Sequence, residues 1–289
     1  MCTHHICSLI RICCSVDRTL SYHKTPTQKV LSTIIIDARQ VLRLPETTQD
    51  HSRSCWPKSI MCGISCCVAL AGAKPPSSTE LKNRLDASLD QIKHRGPDSR
   101  GYWISDNARV GLDELSWEEY YWQASALGHV RLSINDLSPS GAQPFHSPDE
   151  TIHAVVNGEL YDHEEIRASL QSHDNFEYQF QGTSDCEIVI ALYQYYGLNF
   201  LEYLRGEFSL CLWDEKEQLF IAARDRYGIK PLFYTIDDLG RLLVAAEIKA
   251  FLPMQWTPQW DVRSIKDGGW NFDGRTHFSG VRKVRELDL

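Results

Sequence analysis

One cysteine and three polar stretches hold the residues of this sequence that could do chemistry. Cys62 directly follows a methionine in MCGISCC, as in a chain whose cysteine is meant to become the N-terminus. As a thiolate, cysteine is a nucleophile. Each polar stretch combines groups that a hydrophobic core does not need. The stretches are HRGPDSRG (94–101), GHVRLSINDLSPSGAQP (128–144) and VVNGELYD (155–162).

Two of these stretches each allow two interpretations. Arg131 interrupts an apolar strand, and an inward-facing Arg needs an anion to offset its desolvation. A small carboxylate ligand and a structural Asp would serve equally well. Asn157-Gly158 is first of all a turn signal, and on the local pattern alone a hairpin turn is favoured. The Asn amide and the Gly N–H are also the two donors that an oxyanion hole requires.

Helical patterns surround these groups. Apolar residues repeat at helical spacing after Ser78 or Thr79, which predicts a capped helix that Gly96-Pro97 stops. His94, Arg95 and Asp98 around that Gly-Pro turn are, taken alone, typical of a charged loop closing a helix. DHEEIRASLQS and SDCEIVIALYQYYG read as two more helices, the second with a capping box of Ser184 and Glu187.

Strand patterns account for most of the remainder. CGISCCVALAG is a continuous apolar run typical of a buried strand. Two hairpins are predicted, around the polar turns DEKEQ and DDLG. Strands joined in hairpins with helices between them, and no repeating βαβ unit, indicate an α+β protein with mostly antiparallel sheets. The other predicted strands are RGYWIS, ALGHVRLSI and IHAVVNGEL.

Composition excludes several classes of protein. The 289 residues carry a net charge of −8, which argues against nucleic acid and anionic membrane surfaces as partners. No apolar run is long enough to predict a transmembrane helix. The ten cysteines show neither CxxC nor regular spacing, so neither a disulfide framework nor a zinc or other metal site is predicted. Reduced thiols indicate a cytoplasmic protein.

The chain divides into two segments that differ in charge balance and in hydrophobic periodicity. Residues 1–60 hold eight Lys/Arg against four Asp/Glu and keep no helical or strand period beyond a few residues. This segment fits neither a signal peptide nor a mitochondrial presequence. We interpret 1–60 as disordered or as an error in the assigned start, and 61–289 as the domain.

Seven motifs together resemble one family. MCGI, HRGPD, GHVRLSINDLSPSGAQP, NGELYD, GTSDCEI, LRGEFSLCLWD and RDRYGIKPLFY occur in the order seen in class II glutamine amidotransferases. The match is most similar to the glutaminase domain of glutamine-dependent asparagine synthetases, over about residues 61–285. The resemblance implies an N-terminal nucleophile hydrolase fold, which is a four-layer α/β/β/α sandwich of two mostly antiparallel sheets.

The resemblance also implies a mechanism. The base of the nucleophilic Cys62 would be its own α-amino group, whose pKa near 8 leaves a neutral fraction at pH 7. An intact Met61–Cys62 peptide bond removes that base, so the chain as printed should be inactive. The remaining roles carry over by position: Asn157 and Gly158 as oxyanion hole, Arg131 on the α-carboxylate of L-glutamine and Asp185 on its α-ammonium, backbone groups of Leu132, Ile134 and Glu159 around the pocket, and Arg95 and Asp98 as structural support.

This chain departs from the family pattern in two places. DELSWEEYYWQASA (113–126) is inserted before Arg131, either as a lid or partner-binding loop or, as favoured here, as a gene-model artefact. The chain ends at VRKVRELDL without a phosphate-binding glycine loop, so no cofactor is expected in it. ATP and Mg²⁺ would belong to a missing synthetase domain, and ammonia would go to a separate domain or chain.

Three functions remain open on the sequence alone. The leading hypothesis is a glutaminase that hydrolyses glutamine to glutamate and ammonia for asparagine synthesis. The alternatives are a catalytically inactive glutamine-binding or scaffold module, and a truncated gene product without function.

Overall fold

The computed structural model describes residues 8–13, 61–70, 73, 76–105, 125–267 and 274–284. The described strands are β1 Ser8–Cys13, β2 Gly63–Ala69, β3 Ser99–Ile104, β4 Ser125–Arg131, β5 Phe145–His146, β6 Ile152–Leu160, β7 Gly206–Asp214, β8 Leu219–Arg224, β9 Phe233–Ile236, β10 Arg241–Ala245 and β11 Arg282–Lys283. The described α-helices are α1 Ser78–Ile92, α2 His163–Gln171, α3 Ile188–Tyr196 and α4 Val262–Asp267. Four 3₁₀ helices lie at Pro139–Gly141, Asp185–Glu187, Gly197–Tyr203 and Ile248–Met254.

Within these residues the strands form two antiparallel sheets. The first sheet has the order β1-β8-β7-β6-β5, and the second has the order β11-β9-β10-β2-β4-β3. Hairpins join β7 to β8 and β9 to β10, as the polar turns predicted.

Alternating side chains sort into three cores that separate four layers. Cys66 faces the other sheet and its neighbour Cys67 faces α1, because successive strand residues point to opposite sides. Val155 likewise points between the sheets, whereas Val156 packs under α3. Helices therefore cover the outer face of each sheet, and the four-layer α/β/β/α sandwich is confirmed.

Two local predictions at helix starts were wrong. The side chain of Ser77, not Ser78 or Thr79, caps α1 by accepting a hydrogen bond from the N–H of Glu80 at 3.2 Å. Ser184 makes no side-chain capping bond. Glu187 turns instead toward the loop before it, where its carboxylate accepts bonds from the N–H groups of Gln181 and Gly182. Hydrogen bonds to the preceding loop thus replace the capping box.

The two unusual segments of the sequence differ in what the structure describes. Ser8–Cys13 forms an edge strand that pairs with β8, a strand that the sequence pattern did not predict. The rest of residues 1–60, and residues 113–124 of the insertion, lie outside the described residues. Across the part of the chain that is described, no helix is long and apolar enough to cross a membrane.

Candidate active site

The candidate site lies at an open end of the gap between the two sheets. Ile64 on β2 and Leu127 on β4 point into that gap, so by the two-residue strand period Cys62, His129 and Arg131 also face it. β2 and β4 pair with Gly63 opposite Val130. That register places the cysteine and the arginine at neighbouring strand ends.

Cys62 is half-buried and held by backbone groups. Its Sγ accepts a hydrogen bond from the N–H of Leu132 at 3.3 Å and lies 3.5 Å from the carbonyl oxygen of the same residue. Arg95 donates its Nε–H to the carbonyl oxygen of Cys62 at 3.0 Å. Burial raises the pKa of the Cys62 thiol, against the opposing effects of the Leu132 N–H and the positive charges of Arg131 and Arg95. Forming its thiolate near neutral pH therefore requires a nearby base.

Arg131 is buried and binds backbone oxygens. Its guanidinium donates to the carbonyl oxygens of Ser138, at 3.0 Å, and of Asp136. No described carboxylate forms an ion pair with it. A structural Asp is therefore not the partner that the sequence left open, and the charge of Arg131 remains available to an anionic ligand in the adjoining cavity.

Asp185 supplies a negative charge to the same cavity. The carboxylate is 3 % exposed, and its Oδ2 accepts the N–H of Leu160 at 2.7 Å. Cys186 follows it, with Sγ 3.6 Å from the carbonyl oxygen of Gly158. The start of the Asp185–Glu187 3₁₀ helix is thereby fixed against the end of β6.

Asn157-Gly158 is not a turn, and the hairpin interpretation was wrong. Both residues lie inside β6, where Gly158 pairs with Phe208. Gly158 has φ of +144°, and a Cβ there would lie 1.9 Å from the carbonyl oxygen of Glu207. The glycine is thus required by the close approach of β7. Among the described residues no donor reaches the buried Oδ1 of Asn157, while its Nδ2 lies 3.5 Å from the Oγ of Ser209.

The amide of Asn157 suits either of two orientations. A half-turn about its Cβ–Cγ bond lets Oδ1 accept a bond from the Ser209 hydroxyl and moves Nδ2 to the buried position where Oδ1 has no described donor. That orientation leaves a carboxamide donor beside the Gly158 backbone, which is the arrangement that a developing oxyanion requires.

The predicted site residues converge, with two exceptions. Eight of them line one cavity of about 130 Å³. Arg95 and Asp98 lie behind it: Arg95 binds the Cys62 carbonyl, and Asp98 accepts the N–H of Ser133 at 2.7 Å. The cavity is lined by Met61, Cys62, Arg131, Leu132, Ile134, Asn135, Asp136, Gly141, Gln143, Val156, Asn157, Gly158, Glu159, Ser184, Asp185, Cys186 and Lys230.

Several cavity residues escaped the sequence prediction. The carboxylate of Asp136 accepts the N–H of Thr183 at 3.0 Å, which connects the loop after Arg131 to the segment before Asp185. Lys230 binds Glu207 at 3.2 Å at the rim. Gln143 and Asp136 stand within the GHVRLSINDLSPSGAQP motif, which was the only signal available for them. No group of three or more His, Cys, Asp or Glu residues within the described ranges is arranged to hold a metal ion.

A family model described as a glutamine amidotransferase domain matches residues 61–286. The chain belongs to the glutamine amidotransferase family. It is the class II type, as the curated relatives also indicate.

Among the relatives of this glutamine amidotransferase domain are two fungal amidases and a bacterial synthetase. Amidase chry2 of Gibberella zeae is 53% identical over 78% of this chain and 31% of its own. Amidase chyE of Penicillium rubens is 51% identical over the same shares. Asparagine synthetase B (glutamine-hydrolyzing) of Escherichia coli is 36% identical over 73% of this chain and 36% of its own. The chain spans about a third of the length of these relatives.

Solved structures support the fold. Glutamine phosphoribosylpyrophosphate amidotransferase from B. subtilis, complexed with ADP and GMP, superposes with a TM-score of 0.50 at 21% identity. The alignment covers 68% of this chain and 44% of that one. At this identity the likeness concerns the sandwich architecture alone.

Proposed function

We propose that this domain hydrolyses L-glutamine to glutamate and ammonia when Cys62 is the N-terminal residue. The observation that carries the proposal is one cavity that holds a cysteine thiol, an arginine that no described carboxylate pairs with, and a buried aspartate. An α-amino acid has one carboxylate and one ammonium group, so Arg131 and Asp185 match its two charges. The side-chain amide is then left to meet Cys62.

The proposed reaction uses the groups in a fixed order. The α-amine of Cys62 takes the thiol proton, and Sγ bonds to the amide carbon while Asn157 and Gly158 donate to the developing oxyanion. The proton passes from the α-amine to the leaving nitrogen, and the C–N bond breaks. Ammonia departs, and a thioester between Cys62 and the glutamyl group remains. Water then attacks that thioester, which gives glutamate and restores the thiol.

The nitrogen of Cys62 decides whether this sequence of steps can begin. In the printed chain it is the amide of the Met61–Cys62 bond, and an amide has no useful basicity. Met61 also lines the cavity. A free amine with a pKa near 8 would supply the base that the raised thiol pKa calls for.

The fate of the ammonia is a further part of the proposal. The synthetase relative supports asparagine synthesis. ATP, Mg²⁺ and aspartate would then be bound by a synthetase domain or a separate chain. The two amidase relatives support amide hydrolysis, and their names give no acceptor for the ammonia. Because the synthetase relatives name a product that takes up the nitrogen, we favour asparagine synthesis. Cys62, Cys66, Cys67, Cys186 and Cys211 are free thiols, which supports a reducing, cytoplasmic setting.

The test is glutamate release by a chain that begins at Cys62. We expect turnover of glutamine, and no turnover by the Cys62→Ala chain with the same start. Residual hydrolysis by that variant would contradict a cysteine mechanism. Acceptor choice is tested by adding a synthetase chain with ATP, Mg²⁺ and aspartate, and by following the amide of ¹⁵N-labelled glutamine into asparagine.

A second candidate function rests on the amide at Cys62. If the physiological chain keeps residues 1–61, the intact cavity would bind glutamine without turning it over. Calorimetry on that chain separates the two functions: glutamine binding without glutamate release favours a binding module, and the absence of both removes it.

A further inference from the structure

We propose that Gln143 is a positioning residue, which holds Asn157 and Gly158 in the orientation that the oxyanion hole requires. The inference rests on the proposed glutaminase function and extends it to a residue that does not touch the reacting atoms.

The ladder between β5 and β6 ends before it reaches the oxyanion pair. Phe145 pairs with Ala154, and continuing this antiparallel register would place Gln143 opposite Val156. Gln143 lies before the start of β5, and its backbone carbonyl oxygen faces Gly101 on β3, where an added Cβ would lie 1.9 Å from that oxygen. Val156 would therefore present an unpaired N–H and an unpaired carbonyl at a buried strand edge.

The side chain of Gln143 takes the place of the missing strand. Its Oε1 accepts the N–H of Val156 at 2.6 Å, and its Nε2 donates to the carbonyl oxygen of Val156 at 3.0 Å. Gln143 is 7 % exposed, so water does not compete for these bonds. At neutral pH, where carboxyl groups are ionised and only accept, the carboxamide of Gln143 supplies both the donor and the acceptor.

The second sheet holds the same carbonyl. His129 on β4 donates its Nε2–H to the oxygen of Val156 at 3.1 Å. Burial lowers the pKa of His129 to about 3, so the imidazole is neutral. That carbonyl belongs to the same peptide plane as the N–H of Asn157. The peptide group between Val156 and Asn157 is thus held by Gln143 and by His129 of the second sheet, one residue before Gly158.

The shape of the Gln143 side chain and its hydrogen bonds can be separated by substitution. Gln143→Met keeps the length and removes both bonds. Gln143→Glu keeps the acceptor and turns the donor into a second acceptor, which repels the Val156 carbonyl until the carboxyl group is protonated. Gln171→Met is the matched control, because Gln171 is exposed at the end of α2 and makes no described hydrogen bond.

Steady-state glutamate release by chains that begin at Cys62 tests the inference. For Gln143→Met we expect kcat to fall at least tenfold with KM for glutamine within threefold, because Arg131 and Asp185 still bind the substrate. For Gln143→Glu we expect the ratio of its kcat to that of the parent chain to rise at least fivefold from pH 8.5 to pH 6. The Gln143→Met ratio should stay flat, and Gln171→Met should match the parent chain.

Three results would overturn the inference. The first is a Gln143→Met kcat within twofold of the parent chain. The second is a Gln143→Glu ratio that does not change with pH, which indicates a merely structural role. If the parent chain itself releases no glutamate, the proposed function fails. Hydrogen exchange of the Val156 and Asn157 amides then tests whether Gln143 holds this part of β6. Exchange at least tenfold faster in Gln143→Met supports the holding role, and unchanged exchange is the third overturning result.

Discussion

The Sγ of Cys62 lies 3.3 Å from the backbone nitrogen of Leu132, the residue directly after Arg131. The Cys62 thiol and the Arg131 guanidinium are therefore carried at adjacent strand ends. The register of β2 on β4 sets this arrangement, with Gly63 opposite Val130. Under the proposed function, the pairing of these two strands would set the distance between the thiol and the arginine that binds the substrate carboxylate.

Removing the oxyanion donor should slow the chemistry more than the binding. For Asn157→Ala we expect kcat to fall about 10²–10³-fold, with a much smaller change in KM, since the amide meets charge that develops in the transition state. Asn135→Ala is the matched control, because Asn135 is an exposed residue of the same cavity. Equal losses in kcat for the two variants would contradict the assigned role of Asn157.

Replacing the arginine should weaken recognition of the substrate carboxylate. For Arg131→Lys we expect kcat/KM for glutamine to fall about 10- to 100-fold, because the paired guanidinium donors are lost. Glutamine analogues without the α-carboxylate should be hydrolysed equally poorly by both chains. Arg205→Lys, at an exposed pair with Asp162, should match the parent chain. If Arg131→Lys lowered kcat/KM for the analogue without the α-carboxylate as much as for glutamine, Arg131 would have a structural role instead.

Two glycine substitutions should differ in their cost. Gly158→Ala should lower the free energy of unfolding by more than about 3 kcal/mol, because the strained φ alone costs ~1–3 kcal/mol and the Glu207 carbonyl lies 1.9 Å from the added Cβ. Gly197→Ala has φ of +56° with nothing within 4 Å, so about 1–2 kcal/mol is expected. Urea unfolding compares them, and equal costs would show that β7 moves aside easily.

Asp136 should make stability depend on acid. Hydrogen bonds from Ser138 and from the Thr183 N–H lower the pKa of Asp136 to about 2. Since the folded pKa lies below the unfolded value of about 3.9, the stabilisation is complete above pH 4 and is lost as the pH falls toward 2. Asp136→Asn should therefore be less stable than the parent chain at pH 7, and the difference should shrink between pH 4 and 2.

The control for that acid dependence is Asp238→Asn. Asp238 is exposed and makes no described hydrogen bond, so its variant should follow the parent chain at every pH. Urea unfolding at pH 7, 4 and 2.5 gives the comparison. An Asp136→Asn curve that stays parallel to the parent curve would contradict the assigned hydrogen bonds.

Local patterns predicted the elements of the fold, but not the contacts between them. The apolar run after Cys62 gave β2, and the period of Leu81, Leu85 and Leu89 gave α1. The local pattern wrongly predicted a turn at Asn157-Gly158. The glycine is needed because the Glu207 carbonyl on β7, far away in sequence, leaves no room for a Cβ.

The site residues were predicted through the family resemblance rather than through spacing. Arg131 had two possible anionic partners until the structure showed that, within the described residues, its guanidinium binds backbone oxygens and no carboxylate. Gln143 was missed because its partner Val156 is defined by the register of two strands, which no local pattern encodes.

The most direct test compares two chains that differ only at the nitrogen of Cys62. One begins at Cys62, and the other retains residues 1–61, with intact mass confirming each N-terminus at the end of the assay. We expect glutamate release by the first chain to be at least about 10³-fold faster than by the second, because only the first has the amine base. Equal rates with residues 1–61 still attached would contradict it.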